Sequence, residues 1–222
     1  MTTVIKNTKI KNRSPAEGGL RERAKLHKQQ KILEAAEALF REKGYAATTT
    51  REVSERAGVA AGTLFLYVKD KVDLLLWVYA QKIRATISEI EKRLATGKKH
   101  ATGVSKDAWE KEARGFFEPF FRLYAKDPAT AQEFVKQQMF ASGESGARER
   151  NDFLSLIAGW LERGKSAGFI SPTAPSQTVA ATLFAVYFLH LGKWLMKGGD
   201  LTAAMDALQT HIKTILTGVY SK

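Results

Sequence analysis

Apolar side chains recur every three or four residues along two long stretches of this sequence. The positions are Leu76, Ala80, Ile83, Ile87, Ile90 and Leu94 in one stretch, and Leu201, Met205, Leu208, Ile212, Ile215 and Val219 in the other. This spacing puts the apolar residues on one side of an α-helix, so it predicts two long helices that pack along their whole length. No run of useful length alternates between apolar and polar residues, as a half-buried strand would. The pattern predicts an all-α fold.

Glycines, prolines and short polar stretches divide the chain into about nine predicted helices. These helices cover approximately residues 25–43, 50–57, 61–67, 71–95, 107–126, 128–142, 147–167, 174–197 and 201–219. Gly44 and Gly58 are expected to end the first two helices, and Thr50 is expected to cap the second. Residues 1–22 are polar and basic and are expected to form a disordered arm. Two domains are predicted after this arm, over residues 23–70 and 71–222.

Positive charge is concentrated in the N-terminal half of the chain. The net charge is +12, and residues 1–100 hold 21 Lys and Arg against 11 Asp and Glu. A positive segment joined to a nearly neutral remainder indicates a module that binds a polyanion. Nucleic acid and an anionic membrane surface both fit this charge, so charge alone does not choose between them.

Several classes of protein are excluded by what the sequence lacks. It contains no cysteine, and its four histidines have no helical pair spacing, so neither a disulfide framework nor a metal site is expected. It has no phosphate-binding glycine loop and no nucleophile elbow, so we expect no enzyme and no cofactor. The N-terminus lacks the apolar core of a secretory signal, and the apolar run over residues 179–191 is too short to span a membrane. A cytoplasmic protein without a membrane partner is therefore expected.

Residues 32–71 have the arrangement of a helix-turn-helix. Two short predicted helices meet at a turn that contains Gly58, and the second helix begins with the small residues Ala60, Ala61 and Gly62. In this motif the second helix enters the major groove of DNA with its first residues at the base edges. Small residues there allow the backbone to approach closely, because the groove has little room beyond the helix itself.

The same segment resembles the DNA-binding domain of tetracycline-repressor-like (TetR) transcriptional regulators. The matching positions are Ile32, Leu33, Ala35, Ala36, Leu39, Phe40, Gly44, Tyr45, Thr49, Thr50, Ala57, Gly58, Val59, Gly62, Thr63, Leu64, Tyr67 and Lys71. Two positions depart from the pattern, since Phe65 replaces a tyrosine that bonds a DNA phosphate and Val68 replaces an aromatic residue. The resemblance implies a three-helix DNA-binding domain, then a larger helical domain that binds an effector and dimerises.

The predicted DNA contacts lie in the second and third helices and at the start of the fourth. They are Thr50, Arg51, Ala61, Gly62, Thr63, Phe65, Leu66, Tyr67 and Lys71. Arg51 is the candidate for direct readout of guanine, and Leu66 is the candidate for contact with a thymine methyl group. Lys71 and the helix that it opens are expected to bind a phosphate. The basic arm is either a free tail or a second DNA contact, and the sequence leaves both open.

The C-terminal region is rich in aromatic residues, which fit a core as well as a binding pocket. Because the resemblance places an effector pocket in this region, the predicted pocket residues are Trp77, Trp109, Phe116, Phe120, Tyr124, Phe140 and Trp160. The last two helices are the expected dimerisation surface. Its predicted residues are Phe184, Tyr187, Phe188, Leu191, Leu208, Ile212 and Ile215.

These features together predict a ligand-responsive, DNA-binding homodimer. We expect a repressor that binds a near-palindromic operator in double-stranded DNA and is released by a small apolar or aromatic effector. One alternative is a basic helical protein that binds a membrane surface or RNA through its N-terminal arm. Another alternative is a regulator that has no effector.

Overall fold

A computed structural model describes residues 15–97, 105–140 and 147–221. These residues form nine helices, namely α1 (Pro15–Ala47), α2 (Thr50–Arg56), α3 (Ala61–Leu64), α4 (Lys71–Gly97), α5 (Lys106–Ala125), α6 (Pro128–Phe140), α7 (Ala147–Ser166), α8 (Ser176–Lys197) and α9 (Leu201–Thr217). Within these ranges the extended structure is limited to an isolated bridge between Ile170 and Tyr220. The all-α prediction with about nine helices is confirmed.

The first helix begins earlier than the sequence indicates. It starts at Pro15, so residues 15–22 of the predicted arm are helical, while residues 1–14 lie outside the described residues. Residues 20–31 are mostly Leu, Arg, Glu, Ala, Lys and Gln, which have high helix propensity and lower the free energy of extending a packed helix. At the other end, Gly44 has φ 83°, a conformation that favours glycine, and breaks the helical path as predicted.

The N-terminal helices share a small apolar core. The buried residues are Ile32, Ala35, Ala36, Leu39 and Phe40 from α1, Val53 from α2 and Leu64 from α3. The α1 residues form an apolar stripe at three- and four-residue spacing, and the single buried residue of α3 packs that very short helix against the other two. This core therefore positions α2 and α3 as one rigid unit.

Helix α4 connects this unit to the rest of the molecule. It contacts α1, α5, α6 and α7, and α6 also contacts α1 directly. Of its predicted seam, Ile87 and Ile90 are buried, whereas Leu76, Ala80 and Ile83 are half-buried and border a cavity. The regular apolar seam is thus only partly a packing surface, and its first half forms the wall of a cavity.

Candidate DNA-binding surface and ligand cavity

The start of α2 is held by reciprocal hydrogen bonds, and Thr49 is its cap rather than the predicted Thr50. The Thr49 hydroxyl accepts from the Glu52 amide at 3.2 Å, and the Glu52 carboxylate accepts from the Thr49 amide at 2.9 Å. Lys43 of α1 also donates to Glu52, at 2.5 Å. Hydrogen bonds from Lys43, and then from Thr49, lower the pKa of the Glu52 carboxyl to about 2. The first turn of α2 is therefore tied to the end of α1.

Loss of this cap should destabilise the DNA-binding unit. Replacement of Thr49 by alanine removes the side-chain acceptor for the Glu52 amide, and loss of such a cap costs about 1 kcal/mol. We expect this decrease in the free energy of unfolding, measured by urea denaturation. Thr50→Ala is the matched control, because Thr50 is the first helical residue and not the cap. An equal effect of the two substitutions would contradict this assignment of the cap.

Helix α3 presents a short and largely exposed face. The helix ends at Leu64, and the rest of the predicted helix is a turn over residues 65–67. Ala61 and Gly62 are exposed, and a side chain added at Gly62 would meet nothing within 4 Å. Phe65 and Leu66 are 52% and 80% exposed, which is unusual for large apolar side chains. The buried Leu64 thus anchors Phe65 and Leu66, which form a small exposed apolar tip after α3 that is open to a partner.

The side chains of the other predicted DNA contacts differ in how exposed they are and in whether they are bonded within the protein. Arg51 has a side chain that is 84% exposed and donates to the exposed Glu55 at 2.9 Å. An exposed ion pair of this kind contributes little, so the guanidinium can exchange partners. Thr50 and Thr63 are half-buried. Whether these side chains contact DNA stays a prediction.

Two of the predicted contacts are already engaged within the protein. The Lys71 ammonium donates to the carbonyl oxygens of Tyr45 and Ala46 at 3.1 and 3.0 Å, instead of pointing to an open phosphate site. These are carbonyl groups at the end of α1, where a cation is favoured. The Tyr67 ring stacks on Trp77, with ring centroids 6.0 Å apart. Lys71 and Tyr67 therefore hold α4 against the DNA-binding unit.

A cavity of about 170 Å³ lies where α4, α5, α6, α7 and α8 meet. Its lining consists of Leu76, Ala80, Ile83, Phe120, Tyr124, Phe134, Gln138, Glu149, Arg150, Phe153, Phe184, Tyr187 and Phe188. An engineered apolar cavity of about 150 Å³ binds benzene, so this volume accommodates a small ring or a short alkyl chain. The wall is mostly aromatic and aliphatic, with a few polar groups, as is usual in ligand sites.

Among the predicted pocket residues whose side chains the structure describes, Phe120 and Tyr124 lie on this wall. Trp77 packs on Tyr67 instead, and Phe140 is the last residue of α6, with a side chain outside the part of the structure that is described. The other three form a separate buried cluster. In it Trp109 stacks on Trp160 at 4.0 Å between ring centroids, and Phe116 meets Trp160 edge-on at 5.5 Å.

The tryptophan cluster belongs to the core, since Trp109, Phe116 and Trp160 are each at most 4% exposed. A β-carbon at Gly164 would lie 2.5 Å from Trp109 and 2.9 Å from Ile170, so the absence of a side chain there makes room for the stack. Sequence reasoning also missed Ala80, Phe153 and Phe184 as cavity residues. The available signal in the sequence was the small side chain of Ala80 in a seam of otherwise large apolar residues.

The inner wall of the cavity carries two tyrosine hydroxyl groups. Tyr124 and Tyr187 are hydrogen-bonded to each other, and burial raises the pKa of both above the ordinary value. They are therefore neutral at physiological pH. The charged groups of the wall come from the first turn of α7, where Glu149 and Arg150 follow one another.

The predicted dimer surface is largely occupied within the protomer. Tyr187, Leu191, Leu208 and Ile212 are buried, so they are not available to a partner. Phe184 and Phe188 line the cavity, and Ile215 is half-buried. The apolar sides of α8 and α9 are used for the cavity, for α7 and for each other. For the half-buried Phe184, Phe188 and Ile215, a role in the interface stays a prediction.

A different strip of α8 and α9 is exposed. Leu189 and Met196 are 68% and 43% exposed, and the exposed small residues beside them are Ala181, Ala185, Ala203 and Ala207. By length and composition α8 is the one helix among the described residues that is apolar enough to cross a membrane, with one third of its most apolar window buried. Small residues permit close approach of a second pair of helices.

Two histidines meet between α8 and α9 beside this strip. His190 Nε2 lies 3.2 Å from His211 Nδ1. Burial, then His211 and Lys193, lower the pKa of His190. Because the neutral form is favoured in the folded state, the unfolded chain binds this proton first as the pH falls below about 6.5. The stabilisation is complete above that pH and is lost below it.

We therefore expect the melting temperature to fall between pH 7.5 and pH 5.5, and to fall less in His190→Asn. His27→Asn is the matched control, since His27 is an exposed residue of α1. Thermal unfolding followed by circular dichroism measures the difference. Identical pH dependence in His190→Asn and in the unsubstituted protein would contradict the assignment of this effect to His190.

Comparison with known proteins agrees with these features. Residues 32–78 match the family model described as bacterial regulatory proteins, tetR family. The chain is 27% identical over 200 residues to the HTH-type transcriptional repressor KstR of Rhodococcus jostii, covering 90% of this chain and 88% of that protein. It is 24% identical over 205 residues to the fatty acid metabolism regulator protein of Bacillus subtilis, covering 89% and 98%.

Solved structures share the fold along most of the chain. FadR of Thermus thermophilus, in complex with lauroyl-CoA, has a TM-score of 0.66 at 22% identity, covering 82% of this chain and 92% of that one. FadR of Bacillus subtilis, in complex with stearoyl-CoA, has a TM-score of 0.63 at 20% identity, covering 86% and 99%. At this level of identity the likeness extends to the arrangement of the helices.

Proposed function

Since this chain is a member of the TetR family of transcriptional regulators, we propose that it represses transcription by binding a near-palindromic operator as a homodimer and is released by a largely apolar effector. It is a DNA-binding regulator and not an enzyme. As a regulator that acts on DNA, it works in the cytoplasm. The rest of the proposal concerns how each part of the molecule contributes.

The observation that carries the DNA-binding role is the exposed face of α3. Ala61 and Gly62 allow the helix to enter the major groove, and the tip at Leu66 reaches the base edges. Arg51 on α2 is available for a guanine or a phosphate. Few groups on this face donate hydrogen bonds, so the sequence-dependent shape of the DNA contributes to site selection.

Dimerisation supplies the second half-site. The exposed strip on α8 and α9, with Leu189 and Met196 among small residues, supports a four-helix contact between two protomers. Isologous pairing would leave both α3 helices facing a pseudo-palindromic duplex.

The aromatic cavity is the proposed effector site. It touches α4, which begins directly after the DNA-binding unit, so a ligand in the cavity can change the spacing of the two recognition helices. Two FadR proteins of this fold are in complex with lauroyl-CoA and stearoyl-CoA. These complexes support an effector that contains an acyl chain, and a long chain would require the cavity to widen beyond about 170 Å³.

Selection of binding sites from random DNA, followed by footprinting, tests the DNA-binding role. We expect a near-palindromic footprint with half-sites about 34–36 Å apart, or a multiple of that distance. Binding of equal strength to RNA, to anionic vesicles and to unrelated DNA would contradict the proposal and favour the basic-arm alternative. Addition of lauroyl-CoA to the operator complex then tests release by an acyl ligand.

A further inference from the structure

Of the two charged residues on the wall of the aromatic cavity, Glu149 is buried and Arg150 is exposed. The Glu149 side chain is buried, at 6% exposure for the residue, and borders the cavity on α7. Its carboxylate accepts a hydrogen bond from the guanidinium of Arg84 on α4. Arg150, the next residue of α7, also borders the cavity. A buried carboxylate and the guanidinium that donates to it therefore lie at the edge of an apolar site.

The ion pair between Arg84 and Glu149 is not expected to add much to the free energy of unfolding. Moving two charges out of water is unfavourable, and an apolar pair of the same volume is often at least as stable. Breaking the pair on one side is strongly unfavourable, however, because it leaves a buried charge without a partner. The buried member of this pair is Glu149, since its side chain is 8% exposed and that of Arg84 is 36% exposed. Arg84 can therefore accept a second anion from solvent if the Glu149 carboxylate turns outward from the first turn of α7, and that anion can come from a ligand.

The position of Arg84 on α4 links the cavity to the DNA-binding unit. Two residues earlier, Lys82 bonds Glu37 of α1 at 3.0 Å. Residues two apart on a helix point about 200° from each other, so these ion pairs hold opposite sides of α4. One pair ties α4 to the DNA-binding unit, and the other ties it to α7.

We propose that the effector carries an anionic head group, which replaces Glu149 on Arg84 while the apolar part of the effector fills the aromatic cavity. This inference rests on the proposed function and names the chemical class of its ligand. The exchange removes the ion pair between α4 and α7 but leaves the pair between Lys82 and Glu37 intact. Helix α4 then moves with α1, and the spacing of the recognition helices changes. A guanidinium binds carboxylate and phosphate oxygens equally well in geometry, so either group serves.

Ligands with the same chain and different head groups test the proposal. The probes are octanoate, 1-octanol and octanoyl-CoA, with affinity measured by isothermal titration and operator release measured by fluorescence anisotropy at fixed ionic strength. We expect an anionic probe to bind the full-length protein about tenfold or more tightly than 1-octanol, as a charge-assisted hydrogen bond would give. If octanoate binds and releases the operator, a carboxylate on Arg84 is sufficient. Release by octanoyl-CoA alone would contradict the proposal, because the phosphates of CoA lie beyond the pantetheine arm and the thioester next to the chain carries no charge.

Substitutions at the ion pair distinguish the contribution of the head group to affinity from the contribution of the apolar chain. Arg84→Gln should bring the affinities for octanoate and 1-octanol to the same value, and Glu149→Gln should strengthen octanoate binding because the competing carboxylate is gone. The double variant, which leaves no buried unpaired charge, guards against misfolding. Arg122→Gln is the matched control, because Arg122 forms an exposed pair with Glu118 of α5 and does not border the cavity.

Two other outcomes overturn the proposal in different ways. If 1-octanol binds and releases the operator as well as octanoate and octanoyl-CoA, the head-group assignment is wrong and the apolar effector stands. The same holds if Arg84→Gln weakens all three probes equally. If none of the probes binds or releases the operator, both the anionic head group and the acyl effector are wrong.

Discussion

Replacement of Leu66 by glutamate should weaken operator binding by a factor of about a hundred, without lowering the stability of the fold. Leu66 is 80% exposed at the tip that follows α3, so the core loses nothing. The new carboxylate would face the phosphate backbone, and the apolar contact with a thymine methyl would be lost. Each good base contact contributes about 1–3 kcal/mol. A homodimer loses it twice, and every 1.4 kcal/mol corresponds to about a tenfold change in affinity.

The matched control is Thr173→Glu, which makes the same change of charge in the exposed loop between α7 and α8. Fluorescence anisotropy at constant salt measures operator affinity, and thermal unfolding verifies that both variants are folded. The control should show only the small uniform loss that follows from lower net charge. If Leu66→Glu binds as tightly as Thr173→Glu, the tip after α3 does not contact DNA.

The DNA-binding unit was readable from the sequence because its contacts are local. Its three helices lie within one short segment, and the stripe from Ile32 to Phe40 and the glycine at position 44 each have a direct structural meaning. The cap was misplaced by one residue because three consecutive threonines offer the same hydroxyl. Glu52, three residues after Thr49, was the signal that distinguishes them, since it completes a capping box.

Longer-range partners could not be obtained in the same way. Nothing in the sequence around Lys71 indicates that the last carbonyl groups of α1 come within reach of its ammonium. Helical spacing identifies which face of α5 or α7 points inward, but it does not identify the facing residue. The stack of Trp109 on Trp160 depends on how two distant helices meet beside Gly164, and it is that meeting which removes both indoles from the cavity.

The residues of the dimer surface could not be predicted from the sequence for a similar reason. Helix α8 is apolar almost all around, and the sequence does not say which apolar residues serve the protomer itself. The structure uses Tyr187 and Leu191 internally and leaves Leu189 and Met196 exposed. The strip available to a partner is thus smaller and less aromatic than the sequence predicts.

Replacement of Ala80 by phenylalanine should give a repressor that its effector no longer releases. Ala80 borders the cavity from α4, and a phenyl group is comparable to benzene, which a cavity of about 150 Å³ holds. The new ring would therefore occupy most of the 170 Å³ in which the effector is proposed to bind. We expect the affinity for an acyl effector to fall about a hundredfold, roughly 2.7 kcal/mol, while operator affinity is unchanged. Octanoyl-CoA titrated against the operator complex measures both quantities.

The matched control is Ala85→Phe, because Ala85 lies on the same helix and is exposed away from this cavity. Ala85→Phe shows any effect that a large aromatic residue has on α4 outside the cavity. The difference in effector affinity between the two variants therefore measures the effect of filling the cavity. Overpacking at Ala80 costs about 1–3 kcal/mol, which thermal unfolding would detect as a lower melting temperature. Release of the operator by the same ligand concentration in both variants would mean that the effector binds elsewhere. If a stable Ala80→Phe protein binds the operator weakly, the expected unchanged operator affinity is contradicted. Filling the cavity would then by itself move α4 into the position that it takes when the operator is released.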